Sequence, residues 1–142
     1  MVEPFHGVKA AVFIGDALLV YRRDDYPHIP FPNHWDFPGG GREANEMPRE
    51  TLFRELEEEF ALKVHPEVLV WEREFVATPP AFGKVWFMVL KLPAEAKNEI
   101  EFGDEGQEWR LVDWQDFLKF DNRVPFLEAR MEFWMKDQGI SL

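Results

Sequence analysis

The sequence predicts an α+β sandwich with a mixed central sheet, and three observations carry that expectation. Apolar strand-like runs recur at residues 8–14, 17–22, 67–77, 84–90 and 108–112. Two helical patterns, an acidic one inside residues 40–62 and an amphipathic one at 124–136, supply the covering layers. The 142 residues fit a single domain, 1–142, and 46% hydrophobic content with 14 Phe and 6 Trp can fill its core.

Residues 8–14 and 17–22 flank Gly15-Asp16, a two-residue loop of the Gly-X type that favours a tight antiparallel hairpin. Residues 24–33 carry Pro27, Pro30 and Pro32 among Tyr26, His28 and Phe31. That composition forbids a continuous helix and reads as a loop leading into the acidic segment. His28 is left without a role, since a single loop histidine is by default a surface hydrogen-bonding residue.

The acidic segment, residues 40–62, reads GGREANEMPRETLFRELEEEFAL. At about 100° per residue, with Leu52 as zero, Leu56, Phe60 and Phe53 fall at roughly 40°, 80° and 100°, forming one apolar stripe. Glu55, Glu58 and Glu59 fall at roughly 300°, 240° and 340°, a second arc beside it, with Glu57 at roughly 140°. Like charges so spaced weaken a helix by roughly 0.2–0.5 kcal/mol per pair, and Mg2+ or Mn2+ would offset them, because carboxylate oxygens are the ligands those ions prefer. Arg54, at roughly 200°, borders the cluster and can hold Glu58 or Glu50 through its planar fork. Met47 before Pro48 leaves the helix without a Ser or Thr N-cap, a loss of about 1 kcal/mol.

Beyond the helix, residues 67–77 and 84–90 are strand-like around a connection at 78–83, and the run VWFMVL suggests a strand covered on both faces. An acidic loop at 93–107 precedes a short strand at 108–112, and Asp113 can cap a helix from Trp114 with Asp116 at its third position. In the terminal helix Leu127, Met131 and Trp134 recur at helical spacing, as core residues do.

The formal net charge of −11 argues against a nucleic-acid polymer or an anionic membrane as partner, since both want basic patches. Without cysteine there is neither disulfide nor thiol chemistry, which fits a cytoplasmic protein. No basic-plus-apolar leader and no run of 18 apolar residues is visible.

A lone acidic run reads as a solvated helix face, but Gly40, Glu46, Arg54, Glu55, Glu58 and Glu59 in their spacing arise by chance roughly once in 10⁴ such chains. The stretch resembles the signature of the Nudix hydrolases, G-x5-E-x7-R-E-U-x-E-E-x-G-U with U aliphatic, and residues 35–40, WDFPGG, resemble that family's lead-in. Ala61 departs from it, standing where the family has glycine.

The resemblance implies an α/β/α sandwich and hydrolysis of a diphosphate bond in a nucleoside diphosphate linked to another group, with Mg2+ or Mn2+ as cofactor. It implies Glu55, Glu58, Glu59 and the Gly39 carbonyl as metal ligands, Glu58 or Glu105 as the base, and Glu46 and Arg54 as supporting groups. Arg22 or Arg23, only one of which alternation turns toward the site, can meet the phosphates or the base. Asn122 either reads the substrate base, as in MutT-type members, or helps start the last helix. A (deoxy)nucleoside triphosphate giving monophosphate and pyrophosphate is one substrate; ADP-ribose, nucleotide sugars and dinucleoside polyphosphates are alternatives, as is a non-hydrolytic nucleotide sensor. Monomer and homodimer both stay open.

Overall fold

A computed structural model describes residues 4–79 and 81–142; Pro80, in the predicted connection at 78–83, lies outside them. The described elements are β1 (Gly7–Ile14), β2 (Ala17–Arg22), β3 (Trp35–Asp36), β4 (Gly39–Gly41), α1 (Pro48–Phe60), β5 (Leu69–Val76), β6 (Lys84–Leu92), β7 (Glu108–Val112), α2 (Trp114–Phe117) and α3 (Phe126–Gln138).

The sheet is mixed. β1 runs parallel to β6 along its whole length, Gly7 opposite Val85 and Ile14 opposite Leu92, while its remaining pairings are antiparallel. Gly15-Asp16 closes the β1–β2 hairpin, but the two strands pair only at Phe13–Leu18 and Ile14–Ala17. Beyond that point they diverge. β4 takes the edge of β1 at Gly7, Val8 and Lys9, and β3 takes the edge of β2 at Tyr21 and Arg22, so residues 35–41 sit in the fork of a splayed hairpin.

Period-2 alternation sends the two faces of each strand into separate cores. Val8, Ala10, Val12 and Ile14 of β1 meet Leu52, Leu56 and Phe60 of α1 on one side. Ala11 and Phe13 meet Phe117, Leu127, Met131 and Trp134 on the other. Central β6 divides likewise, with Met88 and Leu90 on the first side and Phe87 and Val89 on the second, all fully buried. The VWFMVL run is thus covered on both faces, and the three layers make the α/β/α sandwich.

Several boundaries differ from the sequence reading. A 3-10 turn at Pro66–Val68 delays β5 to Leu69, and another at Ala94–Glu99 interrupts the acidic loop. Helix α3 starts at Phe126 because Pro125 occupies its N-cap, and β3 and β4, too short for periodicity, escape it altogether. Asp113 does cap α2, its carboxylate accepting from the Asp116 N–H at 2.8 Å. At the start of α1, Met47 makes no side-chain cap, but the Glu50 carboxylate reaches back to the Met47 N–H at 2.8 Å. Among the described residues no helix is long and apolar enough to cross a membrane.

Ala61 ends α1 in the left-handed region, at φ 57° and ψ 26°, where its N–H still closes the last turn on Glu57 and Leu56. A Cβ there costs about 1–2 kcal/mol, partly offset because glycine loses more chain entropy on folding. Ala61→Gly should therefore stabilise the fold by about 0.5–1 kcal/mol, raising Tm by a few degrees in a thermal melt. An unchanged or lower Tm would show that this helix end carries no strain.

Candidate active site

The acidic helix is held by one guanidinium. Arg54 spends all five N–H groups: Nε on Glu46 at 2.8 Å, Nη1 on Glu55 at 2.9 Å and Glu58 at 3.1 Å, and Nη2 on the Gly41 carbonyl at 2.8 Å and Glu46 at 3.2 Å. Glu46 also accepts from the Glu43 N–H at 2.8 Å and the Thr51 hydroxyl at 3.0 Å. The loop between β4 and α1 is thereby fixed to the helix through one carboxylate. These donors, Arg54 foremost, hold the Glu46 pKa down to about 2.

Glycine lets the strand approach that helix. A Cβ on Gly40 would sit 2.5 Å from the Glu55 carboxyl carbon, and one on Gly39, at φ 145°, would overlap the Val8 carbonyl. Glu55 therefore lies flat against bare backbone. Glu59, nearest the apolar stripe, is buried at 9% exposure, and burial first, then its hydrogen bond with Glu55, pushes its pKa up to about 9, against the pull of Lys9. Glu58 is exposed.

Across a cavity of about 320 Å³ these three acids and Arg54 face Glu43, Asp104 and Glu105. Glu105 also borders an adjoining cavity with Arg23, Tyr21, Asp24 and Tyr26. A buried Glu59 whose proton affinity is raised by burial and by Glu55 beside it, next to further acids, is the electrostatic complement of a hard cation. The donor set therefore suits Mg2+ or Mn2+ in kind. Among the described residues, however, no three acids or histidines converge into a ready-made cage, because Arg54 draws Glu55 and Glu58 toward itself. Glu58 and Glu105, both exposed, have the freedom to complete one.

On the other side of β4 lies a second cavity, of about 290 Å³, lined among others by Lys9, Arg23, Asp36, Phe31, Phe126 and Arg130. Asp36, 1% exposed, binds Lys9 at 2.8 Å and Arg23 at 3.1 Å. Burial works against the Lys9 charge, but Asp36 outweighs it and holds the pKa above the ordinary lysine value. Sequence reasoning missed Lys9, Asp36 and Arg130; a lysine amid the apolar run of β1 was the available signal. Of the two candidate arginines it is Arg23, one residue beyond β2, that faces this cavity. Arg22 lies instead 3.8 Å from Glu108 of β7. Asn122 borders none of the cavities described: its amide donates to the Asn33 carbonyl and its own carbonyl accepts from the Trp35 N–H at 2.7 Å. It does not cap α3 either, and His28 stacks on Tyr26 with ring centroids 5.6 Å apart.

The Glu46 anchor makes stability pH-dependent. Its folded pKa is depressed, so its contribution is complete above the usual carboxylate value of 4.5 and is lost as pH falls toward about 2. Glu46→Gln should lower Tm near neutrality, and the gap to the unsubstituted protein should close in melts between about pH 4.5 and 2.5. A gap constant over that range would remove the Arg54–Glu46 ion pair as the anchor.

Residues 5–132 match the NUDIX domain. An RNA pyrophosphohydrolase from Alkalilimnicola ehrlichii is 33% identical over 113 residues, 65% of this chain and 62% of that protein, so the match spans less than two thirds of that relative. The MutT protein of Methanosarcina mazei Go1 superposes with TM-score 0.72 and 20% identity over 97% of this chain and 98% of that one. A bifunctional NMN adenylyltransferase/ADP ribose pyrophosphatase from Francisella tularensis, complexed with AMP and a Mn ion, gives TM-score 0.73 and 18% identity over 96% of this chain and 42% of that one. At those identities the structural likeness concerns the fold. With the domain matched across nearly all of the described residues and the signature acids gathered on one helix face beside the glycine strand, the chain belongs to the Nudix family.

Proposed function

We propose that the protein is a divalent-metal-dependent pyrophosphohydrolase acting on a nucleoside diphosphate linked to another group. The observation that carries this reading is the arc of Glu55, Glu58 and Glu59 on α1, set against glycine backbone and facing Glu105 across an open cavity.

Glu55, Glu58, Glu59 and the Gly39 carbonyl would hold Mg2+ or Mn2+, which when bound screens the phosphates and makes water more acidic. The chain's own part is positioning and proton transfer. Glu55 is kept in place by Arg54 and by the absence of a side chain on Gly40, and Glu46 fixes Arg54 in turn. Water attacks phosphorus, the bond to the bridging oxygen breaks, and the departing phosphate leaves with that electron pair. The proton of the water passes to a carboxylate with room to move; Glu58 and Glu105 both have it, and such a base contributes roughly 10²–10⁴ in rate.

For the substrate, the neighbour named as an ADP ribose pyrophosphatase supports ADP-ribose, and the resemblance to MutT-type members supports a nucleoside triphosphate. The relative named RNA pyrophosphohydrolase supports a second reading, a polyphosphorylated RNA end. The net charge of −11 disfavours long contact with an RNA body, but a metal-held terminus does not need it. A nucleotide sensor would bind without turnover and could dispense with paired glutamates that this chain keeps.

A panel of these substrates with Mg2+, read as phosphate or nucleotide release, should identify turnover that excess EDTA abolishes. Full activity without metal would sink the mechanism. Glu58→Gln and Glu59→Gln should each cut kcat by roughly 10²-fold or more. Glu57→Gln, exposed on the opposite arc and no closer than 3.8 Å to Lys63, should change kcat less than about twofold; an equal loss there would refute the assigned helix face.

A further inference from the structure

The cavity behind β4 contains a buried cation without an anion. Arg130, 6% exposed, lies on the flank of α3 beside the core residues Leu127, Met131 and Trp134. The carbon of its guanidinium lies over Phe126, 4.4 Å from the ring centroid, with the Phe75 centroid at 5.4 Å. Aromatic faces favour the charge but cannot accept the five in-plane N–H bonds. Among the described residues Arg130 makes no hydrogen bond or ion pair, and Asp36 of the same cavity is already held by Lys9 and Arg23. Burial lowers the Arg130 pKa to about 10, so the group is still charged at neutral pH. Arg130, Lys9 and Arg23 against Asp36 alone leave the lining a net +2, inside a protein of net −11.

A buried charge is normally paired, because leaving it without a counterion costs far more than an exposed charge does. We propose that this cavity is an oxyanion subsite in which Arg130 grips a phosphate or carboxylate through its free N–H edge. Phe126 backs the guanidinium, and Val8, Val85 and Val124 give the cavity an apolar wall. Gly40 and Gly41 wall the cavity, and Gly40 also touches Glu55. A molecule whose diphosphate lies on the α1 acids can therefore reach over the glycine strand and place a second anionic group here. That last step rests on the proposed pyrophosphohydrolase activity; the oxyanion site itself does not.

The test has two arms. In the first, inorganic phosphate is titrated into metal-free protein by calorimetry and by thermal shift, for the unsubstituted chain, Arg130→Gln, Arg130→Met and Arg130→Lys. Phosphate should bind and raise Tm in the unsubstituted chain. Gln and Met should weaken binding by roughly thirtyfold or more, and Lys by less, because it keeps the charge and loses the fork. Met, which fills space without a buried charge, separates loss of binding from loss of folding. In the second arm, kcat/KM with Mg2+ is compared for NADPH and NADH, which differ by one phosphate. A preference for NADPH that falls toward one in Arg130→Gln assigns the site to a phosphate carried by the substrate. Arg130-dependent phosphate binding with no such change assigns it to free phosphate. Phosphate binding that is absent, or equally tight in Arg130→Gln, overturns the subsite. Arg130-dependent binding in a protein that hydrolyses nothing on the panel overturns the hydrolase reading and leaves the subsite standing.

Discussion

The arrangement depends on a single guanidinium satisfying an acidic helix and an acidic loop at once. Four glutamates, Glu46, Glu55, Glu58 and the more distant Glu43 at 3.5 Å, surround Arg54. Their mutual repulsion would otherwise splay the β4–α1 loop away from the helix. Five donors in a fixed plane let one residue do what several lysines could not, since a lysine offers three rotating donors and no fork. Because Nη2 also takes the Gly41 carbonyl, the same contact sets the distance from α1 to β4. Gly40 leaves the space that the Glu55 carboxyl fills, and Gly39 is required for a different reason, since a Cβ there would overlap the Val8 carbonyl.

That short strand could pair only if the hairpin opened. β1 and β2 share two residue pairs before diverging, and the WDFPGGG segment supplies the missing edges of both. The parallel β1–β6 pairing and two separate cores hold the opened sheet in shape, with α1 on one face and α2 and α3 on the other. The fork places backbone, without side chains, between two cavities.

Much of this was legible in the sequence because it is periodic. The helix phase set Leu52, Leu56 and Phe60 on the core side, and Glu59, at roughly 340°, falls next to that stripe, which explains why it alone of the three acids is buried. What periodicity cannot see is a strand of two or three residues, so β3 and β4 were invisible as strands although their residues stood out as a motif. Nor can it see pairs far apart in the chain. Lys9 meets Asp36 across 27 residues, and Arg130 comes from a helix whose apolar pattern reads as core. Asn122 was legible as a polar residue ahead of a helix but not as a tie to Asn33, because that contact spans 89 residues.

The two cavities carry opposite charge, and β4 is the partition between them. On the α1 side acids outnumber Arg54, a lining whose net charge repels anions and attracts cations. On the α3 side cations outnumber Asp36, and the aromatic and valine walls lower the local dielectric, which strengthens any anion contact made there. Lys9 sits at the junction: it is bound to Asp36, yet its charge is felt by Glu59 and opposes the rise in that acid's pKa. The two halves are therefore electrostatically coupled through one lysine of β1.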